Sequence, residues 1–258
     1  MMTTDIQIPS QKDMITYLMQ WADNSLILGH RLGEWCGHGP VLEQDIALTN
    51  IALDLIGESR NIYQYAASIE GNKDENYYPY HRKEREFVNC KLVELPNVDF
   101  AYTIVRQFLY DSFHYYFLKA MMKSDDETMS AIAQKSFKES SYHLDFSSDW
   151  MKRLGDGTEE SHIRIQKACD DYWEYGEEVF LATTADEVME SNAFGVSLDK
   201  IKHSALNHRK RVMDEAQLRI PDVKYFQSGG KKGIHTEHLG FILTDMQYLT
   251  RTYPGAKW

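Results

Sequence analysis

GNKDENYYPYHRKEREFVNCKLVEL, residues 71–95, is the segment on which the fold turns. It is too long for a hairpin turn, and Phe87, Val88 and Leu92 make it too apolar for a plain linker, so it reads as a crossover lying on a helical bundle. On its N-terminal side Ser10 and Asp13 form an S-x-x-D capping box, and Leu18, Trp21, Ser25, Leu28 and Leu32 follow at alternating steps of three and four. This spacing predicts a first helix ending near the GHGP turn at 37–40. Pro40 stands where a first-turn proline is tolerated, and Leu42, Ile46, Thr49, Leu53 and Ile56 repeat the spacing in a second helix that runs to about Ile69.

On the C-terminal side a third helix is predicted from Asn97 or Asp99 to Lys123. A short SDD turn leads to a fourth, Glu127 to Arg153, stopped by Gly155. Ile132, Ser136, Glu139, His143, Phe146 and Trp150 share one face of that fourth helix. Two antiparallel helix pairs joined by one long connection is the arrangement of ferritin-like four-helix bundles. Further helices are expected at Glu159 to Ala182, Leu198 to Leu218 and Thr236 to Thr252, with a GGKKG loop at 229–233 between the last two. The expectation is a single all-α domain over 1–258, with a four-helix core at about 11–154 and additional helices at about 158–253.

Composition agrees. In 258 residues, 43% apolar and 12% aromatic content can fill a continuous core, while six prolines and 15 glycines are few for a protein built on turns. A formal charge of -11 repels nucleic acid and anionic membrane surfaces, so neither is expected as a partner. Cys36, Cys90 and Cys169 form no CxxC pair, and their odd count suits a reducing compartment. The N-terminus lacks a basic region followed by an apolar run, and no run of 18 apolar residues occurs, so a cytoplasmic location is expected.

Several ionisable residues fall on faces expected to point inward. The second helix carries Glu43, Ala47, Asn50, Asp54, Gly57 and Asn61 in one stripe, the third Gln107, Asp111 and His114, the fourth Glu139 and His143. Buried without partners, such groups would cost several kcal/mol each, roughly, so they must pair with one another or bind a metal. A di-iron site in a bundle of this kind needs a Glu on each of two helices and an ExxH on each of the other two. The first four helices contain no ExxH. Glu159 to His162 is the one ExxH in the chain and lies beyond them, while Asp111-x-x-His114 and Glu139-x-x-x-His143 depart in residue type or spacing. A hydrogen-bonded polar core is the expected reading.

The segments RLGEWCGHGPVLEQDIALTNIALDLIGESRN, QFLYDSFH, KESSYHLDFSSDWMKRLGDGT and GGKKGIHTEHLGFILTDMQYLTR closely resemble the C-subunit family of phenylacetyl-CoA epoxidases. The similarity extends over nearly the whole chain. It implies a ferritin-like subunit that pairs with a catalytic A subunit, which holds the di-iron centre, within a complex that epoxidises the aromatic ring of a CoA thioester. Electrons come from NADPH through a separate reductase. Other epoxidase subunits are implied partners, and a contact between two copies of this chain stays open. The helices beyond the four-helix unit are the candidate surface for the A subunit.

Matched to the A-subunit pattern, the first-helix Glu falls at Leu26, and the first ExxH on Asp54 to Gly57. The third-helix carboxylate falls at Asp111, and the second ExxH on Ser140 to His143. The resemblance thus implies a vestigial site with Asp54, Asp111 and His143 remaining, set among Asn50, Glu58, His114 and Glu139. No cofactor is expected in this chain, and it is expected not to catalyse by itself. The competing reading is an oxygenase-type subunit binding one metal through Asp54, Asp111 and His143. Lys231 and Lys232, between glycines, are a candidate contact for a CoA phosphate against a solvated or partner-facing loop. His235 and His238 are a weaker metal candidate than a capping or interface pair.

Overall fold

In the computed structural model residues 9–256 are described, and every regular element among them is helical. The helices are α1 Gln11–Gly33, α2 Leu42–Glu70, α3 Tyr77–Tyr80, α4 Phe100–Met121, α5 Glu127–Gly155, α6 Glu159–Tyr172, α7 Thr184–Ser191, α8 Leu198–Glu215 and α9 Glu237–Thr252. Helices α1 and α2 form one closely packed hairpin, α4 and α5 the other, and residues 71–99 cross between them. The fold is an all-α, ferritin-like bundle with extra C-terminal helices.

Local chemistry sets the ends. Ser10 and Asp13 form the expected capping box, Asp99 and Asp126 cap α4 and α5 through their side chains, and Gly71 ends α2 at φ 73°. Pro40 falls outside the helix, since Val41 is the N-cap of α2 and Asp45 folds back to accept the Gly39 amide. Close packing within the first hairpin depends on Gly29, where a Cβ would stand 2.9 Å from Ile56 Cγ1 and 3.1 Å from the Ala52 carbonyl oxygen.

Two expectations need correction. The helix predicted over Glu159 to Ala182 stops at Tyr172 and gives way to two short 3-10 turns around Gly176. Arg209, buried on α8, donates to the carbonyls of Leu109 on α4 and of Gly176, and holds the latter where a continued helix would consume its carbonyl. Thr183 and Asp186 then form a capping box that starts α7, an element the apolar spacing did not reveal. On α2 the buried face is Leu48, Ile51, Leu55, Ile62 and Ala66, joined by Glu58. Leu42, Ile46 and Leu53 lie on the outside, and Glu43 and Asn50 are exposed rather than inward. Helix α2 is apolar on two opposed faces, and periodicity alone does not say which one packs.

Buried ionic joints fasten the crossover to the bundle. Asp23 of α1, fully buried, accepts from Arg82 through both carboxylate oxygens, from Tyr63 at 2.6 Å and from the Val88 amide at 3.0 Å. A second joint ties the end of the chain to its middle. Glu94 accepts from His235 Nδ1 at 2.6 Å and from the amide and hydroxyl of Thr236, while His235 Nε2 faces the Phe87 carbonyl at 2.8 Å. Both ring nitrogens meet acceptors, so this histidine is held doubly protonated. Burial lowers its pKa, but the Glu94 carboxylate and the Phe87 carbonyl outweigh that and raise it above the ordinary value of 6.5. A raised histidine contributes stability that is complete below the unfolded value and is lost as pH climbs through the folded one. The urea midpoint of the wild type is therefore expected to fall as pH rises above 6.5, and His235→Gln to flatten that part of the profile. A fall of equal size in the variant would assign the dependence to other groups.

Candidate functional site

The polar groups of the bundle are arranged as two histidine–carboxylate pairs and a third carboxylate. His114 of α4 places Nε2 3.0 Å from Glu58 Oε1 of α2, with both side chains 2% exposed. The same oxygen accepts from Trp21 Nε1 at 3.0 Å and from Ser25 Oγ at 2.6 Å, both on α1. Burial raises the Glu58 carboxyl, but His114 and Ser25 outweigh it and hold its pKa below the ordinary value. One turn away, His143 of α5 sets Nε2 3.0 Å from Asp54 Oδ2. Asp54 sits at the edge of the bundle with a third of its side chain exposed, so this pair reaches toward solvent where the first does not.

Asp111 is fully buried and accepts from Ser147 at 2.8 Å and Gln107 at 2.7 Å. Burial pushes its pKa up to about 6, with His143, Ser147 and Gln107 pulling the other way. Glu139 is half-buried, and burial together with Asp54 and Glu58 raises its carboxyl. Leu26 is a buried apolar side chain, a Cβ added at Gly57 would meet nothing within 4 Å, and the Ser140 hydroxyl is buried without a hydrogen-bond partner. Asn50, placed inside by its spacing, is exposed. Among the described residues no group of three or more His, Cys, Asp and Glu side chains is disposed to hold a metal ion.

Asp54, Asp111, His114 and His143 do lie in one region, and Glu58, expected only as a neighbouring polar residue, is its hub. The available signal was position: Glu58 lies four residues after Asp54, which turns it further into the bundle toward the Trp21 and Ser25 side of α1. The other candidates are engaged elsewhere. His162 faces the Gly155 carbonyl at 2.7 Å, and His235 is committed to Glu94. Lys231 is tucked under the fold, with its side chain 8% exposed, donating to the carbonyls of Leu181 at 2.9 Å and Val179 at 3.3 Å. That ammonium is unavailable to an external phosphate, whereas Lys232 is exposed. The glycines beside it serve Glu178, which accepts the amides of Gly229 at 2.6 Å and Gly230 at 2.7 Å.

No helix among the described residues is long and apolar enough to cross a membrane. A family model described as "Phenylacetic acid catabolic protein" matches residues 2–258. The chain is 42% identical over 245 residues to the C subunit of 1,2-phenylacetyl-CoA epoxidase from Escherichia coli (strain K12), covering 95% of this chain and 99% of that protein. An identity of this level along essentially the full length of both chains, together with a whole-chain family match, places the protein in the phenylacetic acid catabolic protein family.

Proposed function

We propose that the chain is a non-catalytic structural subunit of a phenylacetyl-CoA epoxidase, pairing with and stabilising the di-iron catalytic A subunit in aerobic phenylacetate breakdown. The observation that carries this reading is the pairing of His114 and His143 with carboxylates of the same chain. A bridged pair of irons needs about four carboxylates and two imidazoles aimed at one space. Here leucine, glycine and serine stand at Leu26, Gly57 and Ser140, His114 and His143 face Glu58 and Asp54, and Asp111 is bound by Ser147 and Gln107. This donor set does not fit a di-iron centre. The same geometry disfavours a single metal on Asp54, Asp111 and His143, because each already has an internal partner and Asp111 is directed to two neutral donors. The electron supply from NADPH then belongs to a separate reductase and the chemistry to the A subunit.

Purification of this chain alone and together with its catalytic partner tests the reading. The pair is expected to turn over phenylacetyl-CoA and the lone chain to be inactive; turnover by the lone chain overturns it. Iron or manganese bound stoichiometrically to protein prepared without chelator would favour the single-metal reading instead.

The partner face is best supplied by α2. Leu42 is 71% and Leu53 62% exposed, and with Val41 and Ile46 they form an apolar strip along the outside of the first hairpin. Such a strip on an otherwise acidic surface suits contact with another subunit. Of the helices beyond the four-helix unit, α6 and α8 bury their apolar faces against α4 and α5, whereas α9 leaves Phe241, Tyr248 and Leu249 exposed and offers a second face for a partner. Leu42→Glu combined with Leu53→Glu is expected to weaken assembly about tenfold or more while leaving the unfolding midpoint of the lone chain nearly unchanged. Sedimentation of the mixed subunits reads this directly, and undiminished assembly would remove α2 from the interface.

A further inference from the structure

Between α1, α4 and the α7 region lies a narrow cavity of about 20 Å³, with Gln20, His114, Asp186 and Lys231 among its lining residues. A hole of that size holds a water molecule, provided polar groups are there to receive it. Two are. Gln20 Oε1 and His114 Nδ1 are both buried without a hydrogen-bond partner, on side chains 4% and 2% exposed. Leaving two such atoms unsatisfied would cost roughly 1–3 kcal/mol each. The remaining polar atoms of the same side chains are already used: His114 Nε2 faces Glu58, and Gln20 Nε2 donates to Thr183 Oγ1 at 2.9 Å.

We propose that this cavity is a hydration site whose single water accepts from His114 Nδ1 and donates to Gln20 Oε1, closing one continuous hydrogen-bonded string from Glu58 to Asp186. Every link has a consistent direction. His114 Nε2 donates to Glu58 and Nδ1 to the water, the water donates to Gln20, Gln20 donates to Thr183, and the Thr183 hydroxyl donates to Asp186 Oδ2 at 2.8 Å. Lys231 Nζ stands 4.0 Å from that same carboxylate oxygen and neutralises the far end. At the near end His114 Nε2 is engaged by Glu58 Oε1, which leaves Nδ1 as the ring position facing the cavity. The string joins the ionic centre of the bundle to the short α7 and to the GGKKG loop.

A high-resolution crystal structure of the full chain, with nitrogen NMR of its histidine rings, tests this. The wild type is expected to show one ordered water within hydrogen-bond distance of both atoms, and His114 to carry a slowly exchanging proton on Nδ1. Gln20→Leu is expected to lose the water and speed exchange of that proton. Thr183→Val, which cuts the string beyond the cavity, is expected to keep both and guards against misfolding of the first variant. Absence of density at that point in the wild type, a His114 Nδ1 without a proton, or a water that persists at full occupancy in Gln20→Leu would each overturn the proposal.

Discussion

Asp23→Ala is expected to lower the unfolding free energy by about 3–5 kcal/mol, the scale for removing one partner of a buried ion pair. The carboxylate is fully buried and answers four donors at once, two from Arg82, one from Tyr63 and one from the Val88 amide. Its removal strands a guanidinium that is itself 6% exposed, and burial makes that charge costly. Arg82 keeps its bonds to the carbonyls of Tyr78 and Glu86, so it cannot swing out without undoing the crossover as well. Urea denaturation of the lone chain is the measurement. Arg82→Met in the Asp23→Ala background should recover part of the loss, because no uncompensated charge then remains. A loss below about 1 kcal/mol for Asp23→Ala would mean that water enters and solvates the arginine.

Glu58→Leu is the second large effect, again roughly 3–5 kcal/mol. One carboxylate oxygen receives Trp21, Ser25 and His114, so a single apolar replacement removes the shared acceptor of three donors on two helices. Glu58→Gln retains an oxygen at that point and is expected to cost less, since only the charge on the acceptor is lost. The combination of Glu58→Leu with His114→Phe should be milder than Glu58→Leu alone, because the buried ring donor is removed along with its acceptor. If the double variant proves less stable than the single one, the histidine is held by something other than Glu58. Near-equality of Gln and Leu at position 58 would likewise show that the oxygen contributes little.

These two positions also mark what could and could not be read from the residues in order. The bundle was legible because Leu18, Trp21, Ser25, Leu28 and Leu32 leave one face of α1, and because Ser10, Asp99 and Gly155 punctuate the helices in ways that depend only on neighbouring residues. Resemblance supplied the family, which periodicity alone could not. The face of α2 was not legible, since Leu42, Ile46 and Leu53 are as apolar as Leu48, Ile51 and Leu55, and the choice between them is made by α1 through Gly29. Polar partners were harder still. Asp54, Asp111 and His143 were expected in one region, but nothing local to Asp23 announces an arginine 59 residues away, or to Glu94 a histidine 141 residues away. Such pairings are properties of the closed structure. The α7 capping box at Thr183 and Asp186 was available in the letters and was obscured by reading one helix through Gly176.

The joint between Glu94 and His235 has a temporal meaning as well. Glu94 is translated long before the residues that satisfy it, so while the chain is still on the ribosome the α1–α2 hairpin can close, but the connection to the second hairpin carries a carboxylate without its imidazole and hydroxyl donors. Helix α9 also brings Gln247, which donates to the carbonyls of Pro79 and Arg82. Helix α9, which emerges long after the middle of the sequence, therefore completes it, and a nascent chain stalled before α9 would expose the unfinished seam to chaperones.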